Sequence, residues 1–195
     1  MELKKFKSIL SEKNNLNKKL IKDFYKILEA INIISLTIQN NSTVFTCGNG
    51  GSAGDAQHVA AEGVVRLKPN INRKPIPIIS LAMDSSTLTA CANDYGYERI
   101  FSRSLEAIGK KNDLLICYST SGKSKNIINV LKKAKKMNIF TISFLGGKGG
   151  NAKKYSDLPI LVPSKNVARI QETHIFLSHY ILEEVEKILL KRKFI

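Results

Sequence analysis

With 195 residues, of which 43% are hydrophobic and 24% charged, the chain has the size and composition of one globular domain. No apolar run approaches the roughly 18 residues of a membrane span, and the lysine-rich N-terminus lacks the apolar segment of a signal peptide, so we expect a cytoplasmic protein without membrane contact. The net charge of +15 comes from scattered lysines without interleaved aromatic residues, which argues against specific nucleic-acid binding and is compatible with attraction of anionic small substrates.

Hydrophobic periodicity predicts the order of helices and strands. Residues 1–40 have a helical period, and the apolar stripe in 16–38 is wide enough to face two surfaces, one of them a candidate contact with a partner subunit. Beyond residue 41, short apolar runs alternate with helical patterns. We predict strands at 42–47, 75–83, 113–119, 139–145 and 158–163. We predict helices at 55–67, 85–94, 97–109, 124–138 and 166–193, with one helical turn inside the loop 146–157.

This alternation predicts an α/β fold. The strands are continuously apolar, which is typical of a parallel sheet covered on both faces, so we expect a three-layer α/β/α sandwich around five parallel strands. We expect a single domain, with a helical segment 1–40 followed by an α/β core 41–195. Ligands of such sheets bind beyond the carboxyl ends of the strands. The loops after residues 47, 83, 119 and 145 should therefore hold the site.

The first of these loops contains glycines in the spacing GxGxxA, at Gly48, Gly50 and Ala53. A strand before it and a helix after it are the context of a dinucleotide-binding fingerprint. The acidic residue expected about 20 positions later is missing, because that region reads RLKPN. A nicotinamide cofactor is therefore disfavoured. Glycines at a helix N-terminus still let backbone N–H groups approach an anion or a sugar hydroxyl.

A second loop places four hydroxyl groups around Gly122: Ser119, Thr120, Ser121 and Ser124. The sequence GKS suggests a Walker A loop, but a cysteine stands where that motif needs its first glycine. Serine capping of the following helix accounts for one hydroxyl and not for four. The group therefore predicts a site for one phosphate at a helix N-terminus.

Two further features have more than one interpretation. Asn93 and Asp94 lie where a helix is predicted to end, and they suit either a helix-ending turn or a polar contact with a ligand. The three cysteines, Cys47, Cys91 and Cys117, match no zinc-ribbon or CxxC spacing, and we expect them to be reduced and buried.

Histidine and carboxylate residues recur at helical spacing. His58 and Glu62 are four residues apart and share a helix face, so they suit acid–base chemistry, metal binding or an unrelated surface pair. Gln171 and His179 are eight apart, which separates them by about 80° around a helix and lets both face one site. His174 lies about 60° to the other side of Gln171, and we expect it either to be structural or to support a site residue without contacting the ligand.

Four segments in this order, CGNGGSAGDAQHVAAE, ANDYG, STSGKSKN and RIQETH followed by His179, resemble the sugar isomerase (SIS) family and, within it, the phosphoheptose isomerases. The resemblance covers almost the whole chain. It implies a five-stranded, flavodoxin-like SIS fold in a homotetramer, with the N-terminal helix serving oligomerisation. It also implies conversion of sedoheptulose 7-phosphate into D-glycero-D-manno-heptose 7-phosphate through an enediol. That reaction is the first step towards activated heptose for lipopolysaccharide, capsule or S-layer glycans.

The resemblance also implies roles for individual residues. Those in contact with the sugar are Asn49, Gly50, Gly51, Ser52, Glu62, Asn93, Asp94 and Gln171. Those that bind the phosphate are Ser119, Thr120, Ser121 and Ser124. Glu62 and His179 are the implied catalytic pair. One zinc ion per subunit is implied at His58, Glu62, Gln171 and His179, and no nucleotide cofactor.

Two non-catalytic alternatives share this fold. Adaptor proteins that bind the bacterial replication initiator DnaA have the RIQE helix and the phosphate loop, but they lack the catalytic glutamate and the late histidine. Sugar-phosphate sensors of the SIS family usually carry an additional DNA-binding domain, for which 195 residues leave no room. The presence of Glu62 and His179 favours the enzyme.

Overall fold

The computed structural model describes residues 2–195. Two helices come first, α1 (Glu2–Leu20) and α2 (Phe24–Gln39), joined by a 3₁₀ turn at Ile21–Asp23. The strands are β1 (Val44–Gly48), β2 (Ile78–Ser80), β3 (Leu114–Ser119), β4 (Phe140–Gly146) and β5 (Leu158–Val162). The remaining helices are α3 (Gly51–Val64), α4 (Ser85–Tyr95), α5 (Ile100–Ile108), α6 (Lys125–Lys136) and α7 (Val167–Lys191).

The five strands form one parallel sheet in the order β2-β1-β3-β4-β5. This is a flavodoxin-like order, and it confirms the predicted fold class. The strand order reverses between β1 and β3, which is where open α/β sheets leave a crevice for a ligand. The loop after β1 contains the glycines of the GxGxxA segment, residues 48–53, and is called the glycine loop. The loop after β3 contains the four hydroxyl residues of segment 119–124 and is called the hydroxyl loop.

Alternate residues of each strand contact opposite helical layers. In β3, Leu114, Ile116 and Tyr118 pack in a core with α2, α3 and α7. Leu115 and Cys117 pack on the other face with α4, α5 and α6. The sheet is therefore buried on both sides, as the uninterrupted apolar strands predict.

The structure differs from the predicted elements mainly at their ends. The strand expected at 75–83 is shortened to Ile78–Ser80. Its start is delayed because the prolines at 75 and 77 have no N–H to donate to a neighbouring strand, and the chain turns directly after Ser80. The helix α3 begins at Gly51, four residues before the predicted start, because glycines in its first turn weaken the sequence signal for a helix. The N-terminal helical segment is interrupted at Ile21–Asp23, where Asp23 is a poor residue for a helix interior.

All three cysteines are free and buried, as expected. Cys47 and Cys117 are neighbours in the register of β1 and β3, with 3.4 Å between their sulfur atoms. Within residues 2–195, no helix combines the length and the hydropathy that a membrane span requires.

Candidate active site

The glycine loop after β1 is tied to two other elements through Asn49. The side-chain amides of Asn49 and Asn126 exchange two hydrogen bonds of 2.9 and 2.8 Å. The hydroxyl of Tyr97 donates a third, of 3.0 Å, to Asn49 Oδ1. The loop is thereby joined to the first turn of α6 and to the segment after α4. Sequence reasoning gave Asn126 and Tyr97 no role, although Asn126 is the last residue of STSGKSKN.

Three of the predicted metal-binding and catalytic residues meet between α3 and α7. His58 Nε2 lies 2.8 Å from His179 Nε2 and 3.3 Å from Glu62 Oε1. One ligand atom from each of the three residues lies within 4.8 Å of the other two. The spacing of His58 and Glu62 along α3 therefore puts both on the face that meets α7, and residue 179 supplies the second imidazole.

The chemistry of this cluster fits a divalent metal ion. Two imidazole nitrogens and one carboxylate oxygen are ligands that zinc accepts, and a catalytic zinc keeps a further position for water or substrate. Glu62 Oε2 is buried and has no hydrogen-bond partner, so it is available to a ligand that the cluster would bind. His58 is the most exposed of the three residues, which leaves access from solvent.

Gln171 lies on α7, eight residues before His179 of this cluster. A Cβ atom built at Gly51 would stand 2.5 Å from Gln171 Nε2. The amide of Gln171 therefore rests on the first turn of α3. Its position beside the predicted sugar-binding glycine loop is compatible with a substrate contact.

The hydroxyl loop after β3 has a different arrangement from a simple helix cap. Ser119 Oγ accepts a 3.0 Å hydrogen bond from the N–H of Gly122, and Ser121 Oγ accepts one of 3.1 Å from Lys123. Ser124 is the residue that precedes α6, and its side chain makes no capping bond. The hydroxyls of Ser124 and the half-buried Thr120 are therefore available to an anion at the N-terminus of α6.

Asn93 and Asp94 lie in the last turn of α4, and both are exposed. Asn93 Nδ2 donates a 2.8 Å hydrogen bond to Asp94 Oδ1. Among residues 2–195, no hydrogen bond joins this pair to the other predicted site residues. The structure therefore does not bring them into the clusters described above, although Tyr97, three residues beyond Asp94, contacts Asn49.

Burial shifts the pKa of two groups, Asp55 on α3 and His174 on α7. It raises the pKa of Asp55, one turn before His58 on α3, to about 6, and His58 partly opposes the shift. Burial lowers the pKa of His174 to about 3, so this ring is neutral near pH 7. His174 packs against the rings of Tyr118 and Phe144, with 6.0 Å between its centroid and each of theirs. It lies in the core, as expected of a structural histidine.

Comparison with known proteins identifies the family. The SIS domain model matches residues 10–146. A phosphoheptose isomerase of Clostridium acetobutylicum is 46% identical over 178 residues, which are 90% of this chain and 90% of that protein. The chain belongs to the SIS family and, within it, to the phosphoheptose isomerases. The resemblance carried by the four motifs is thus confirmed.

Further relatives agree with this assignment. A phosphoheptose isomerase of Helicobacter pylori is 44% identical over 181 residues, 93% of each protein. The solved structure of phosphoheptose isomerase from Neisseria gonorrhoeae superimposes with a TM-score of 0.89 at 31% identity, covering 96% of this chain and all of that one. The α/β fold of this SIS-family chain is therefore that of a phosphoheptose isomerase over nearly its full length.

Proposed function

We propose that this protein is an aldose–ketose isomerase that converts sedoheptulose 7-phosphate into D-glycero-D-manno-heptose 7-phosphate, the first step of activated heptose biosynthesis. The observation that carries the proposal is the His58–Glu62–His179 cluster, in a chain 46% identical to a phosphoheptose isomerase. The adaptor and sensor alternatives are not favoured, because the relatives at this level of identity are phosphoheptose isomerases. The adaptors of this fold also lack the glutamate and the histidine found here at positions 62 and 179.

The two ends of the substrate suit the two loops. A phosphate would accept hydrogen bonds from Thr120, Ser124 and backbone N–H groups at the N-terminus of α6, where the helix dipole favours an anion. The sugar chain would extend towards Asn49 and the glycine loop. This chemistry needs no nucleotide cofactor and no nucleic acid. That the protein binds neither stays a prediction, and so does its cytoplasmic location.

The reaction moves a proton between C1 and C2 of the sugar. In our proposal the Glu62 carboxylate takes the proton from C1 of the ketose, and the C2 oxygen gains a proton to give the enediol. Glu62 then returns a proton to C2, and the C1 hydroxyl loses its proton to become the aldehyde. His179 carries the proton between the two oxygens. Atoms balance, because one hydrogen moves from C1 to C2 and another moves from the C1 oxygen to the C2 oxygen.

The same residues are the proposed ligands of a zinc ion: His58, Glu62, Gln171 and His179. Bound zinc would supply a Lewis acid that stabilises negative charge on the sugar oxygens. A carboxylate that binds a metal is a weaker base, so the two proposed roles of Glu62 compete. A chelator experiment separates them.

A homotetramer is the oligomeric state that we propose. Large hydrophobic side chains are exposed along the N-terminal helices, including Phe6 at 59%, Ile21 at 73% and Tyr25 at 60%. A second apolar surface lies at the sheet edge, where Val65 is 67% and Met83 is 65% exposed. Exposed apolar patches of this kind mark contact surfaces, and two separate ones suit a tetramer with dihedral symmetry. Light scattering of the purified protein measures this directly.

The decisive experiment follows sedoheptulose 7-phosphate by NMR in the presence of the purified protein, with added zinc and with a chelator. We expect conversion to the heptose 7-phosphate, and a loss of roughly 10²-fold or more in kcat for Glu62→Gln, the usual scale of a general base. Glu183→Gln, an exposed glutamate of α7, is the matched control and should keep full activity.

The outcomes separate the alternatives. No conversion by a folded protein that binds the sugar phosphate would overturn the isomerase proposal and favour a sensor or adaptor. Conversion that survives chelation would remove zinc from the mechanism while leaving Glu62 as the base. Near-full activity of Glu62→Gln would contradict its role as the base.

A further inference from the structure

Arg73 is a buried cation in the connection between α3 and β2. Only 1% of its side chain is exposed. Its Nη2 donates a 2.7 Å hydrogen bond to the backbone carbonyl of Glu62, and its Nη1 donates one of 2.9 Å to the carbonyl of Gly63. Its Nε donates one of 2.6 Å to Glu186 Oε2 on α7. One guanidinium therefore binds two helices.

The contact with α3 is made at the C-terminus of that helix. The last four carbonyls of a helix have no partner within it, and a cation there also complements the helix dipole. Arg73 binds two of these carbonyls, one of them belonging to Glu62 itself. The donors of a planar guanidinium point in several directions, so Arg73 can bind two carbonyls and a carboxylate together. The single ammonium group of a lysine cannot make the same set of hydrogen bonds.

The contact with α7 is made on the face that carries the active site. Glu186 follows His179 by seven residues, so the two differ by only about 20° around the helix. Its side chain is 3% exposed, and the Arg73 guanidinium is the cation that neutralises it. The pair therefore connects the end of α3 just beyond His58 and Glu62 to the face of α7 that presents His179.

We propose that Arg73 and Glu186 are positioning residues, which set the separation of α3 and α7 and thereby the distance between Glu62 and His179. This inference rests on the proposed function, because it concerns the same cluster. It assigns neither residue to the chemistry. It predicts that removing the pair changes the distance between Glu62 and His179, in addition to any effect on the stability of the fold.

A variant that removes both charges separates these two effects. Replacing a buried ion pair by apolar residues of similar size is often neutral for stability, whereas removing one partner leaves an unpaired buried charge. The double variant Arg73→Met with Glu186→Leu leaves no unpaired buried charge and should therefore stay folded, while the carbonyls of Glu62 and Gly63 lose the guanidinium donor. Arg73→Lys retains the charge and serves as the second variant, since it keeps the ion pair but loses the hydrogen bonds to the two carbonyls.

Steady-state kinetics give the first readout. We expect kcat of the double variant to fall by about 10- to 100-fold, the scale of a misplacement of about 1 Å in an active site. KM should change little, because the proposed phosphate loop at 119–124 belongs to β3 and α6. Arg192→Met with Glu184→Leu, which alters exposed contacts near the end of α7, is the matched control and should leave both parameters unchanged.

The second readout does not depend on turnover. The chain has three histidines, so NMR of the imidazole ¹⁵N nuclei contains three rings. We expect the signals of His58 and His179 to shift in the double variant and in Arg73→Lys, with His174 in the core as the unchanged internal reference. Unchanged His58 and His179 signals in a folded variant overturn the proposal. A wild-type protein that fails to convert the sugar phosphate would overturn the proposed function, while these spectra would still decide the role of Arg73.

Discussion

The side-chain amide of Gln171 on α7 packs directly on the backbone of Gly51 at the start of α3. A Cβ atom at residue 51 would lie 2.5 Å from Gln171 Nε2 and 2.9 Å from Cδ. Gly54, one turn later on the same helix, has open space where its Cβ would be. The two glycines thus lie in the same helix, but only at Gly51 would a Cβ atom collide with another side chain.

Gly51→Ala should reduce kcat/KM strongly, because the added methyl group displaces Gln171 from the glycine loop. Gly54→Ala should leave activity unchanged and stabilise the helix by about 0.5–1 kcal/mol, since alanine loses less backbone entropy than glycine on folding. Kinetics and urea unfolding of the two variants measure both effects. Equal activity of the two variants would show that Gln171 has no part in the site.

Ser124→Ala tests the hydroxyl loop. A hydrogen bond to a charged group contributes about 1.5–3 kcal/mol, so we expect kcat/KM to fall by roughly 10- to 150-fold, mainly through KM. Stability should hardly change, because this hydroxyl makes no capping bond to α6. Ser104→Ala is the control, as the Ser104 hydroxyl contacts only the carbonyl of Ile100 in its own helix. An unchanged KM for Ser124→Ala would remove this residue from the phosphate site.

Most of the fold could be predicted because its signals are local. Each strand of the sheet is a short apolar run bounded by turn residues, and each helix has its own period. The strand β2 was the exception, since prolines delay its start and a turn follows Ser80, which leaves three paired residues. The interruption at Ile21–Asp23 is a change of helix type within a continuous helical pattern, to which periodicity is insensitive.

The site was only partly predictable. His58 and Glu62 share a helix, so their proximity follows from spacing, whereas their meeting with His179 depends on how α3 packs on α7. No sequence pattern indicated a role for Arg73, because its partner Glu186 lies 113 residues away and its other contacts are backbone carbonyls. Contacts of this kind belong to the tertiary structure, and a single sequence does not specify them.

The three cysteines should be unreactive in the folded protein. All are buried, and burial raises the pKa of the Cys117 thiol well above its usual value, so little of the reactive thiolate is present. We expect no rapid reaction with Ellman's reagent in native buffer, and three thiols after unfolding in guanidinium. Ser86→Cys, at an exposed position of α4, provides a positive control that should react at once. Fast reaction of the native wild-type protein would contradict the burial.

His174 should make the protein less stable in acid. Its pKa falls from 6.5 in the unfolded chain to about 3 in the folded protein, so between these values the unfolded state binds more protons. Stability therefore decreases as pH falls from about 6.5 towards 3, by up to about 1.4 kcal/mol per pH unit, and is unaffected by this group above that window. Asp55, whose folded pKa is raised to about 6, has the opposite slope between 3.8 and 6.

The contribution of His174 is therefore measured as a difference. His174→Leu removes the titrating ring while keeping an apolar side chain against Tyr118 and Phe144. Urea unfolding at fixed protein concentration, between pH 4.5 and 7.5, should show the wild-type protein losing stability relative to the variant below pH 6.5, with a constant difference above it. Because Asp55 is present in both proteins, its opposite slope cancels. Parallel stability curves across the whole range would mean that His174 is protonated as easily in the folded protein as in the unfolded chain.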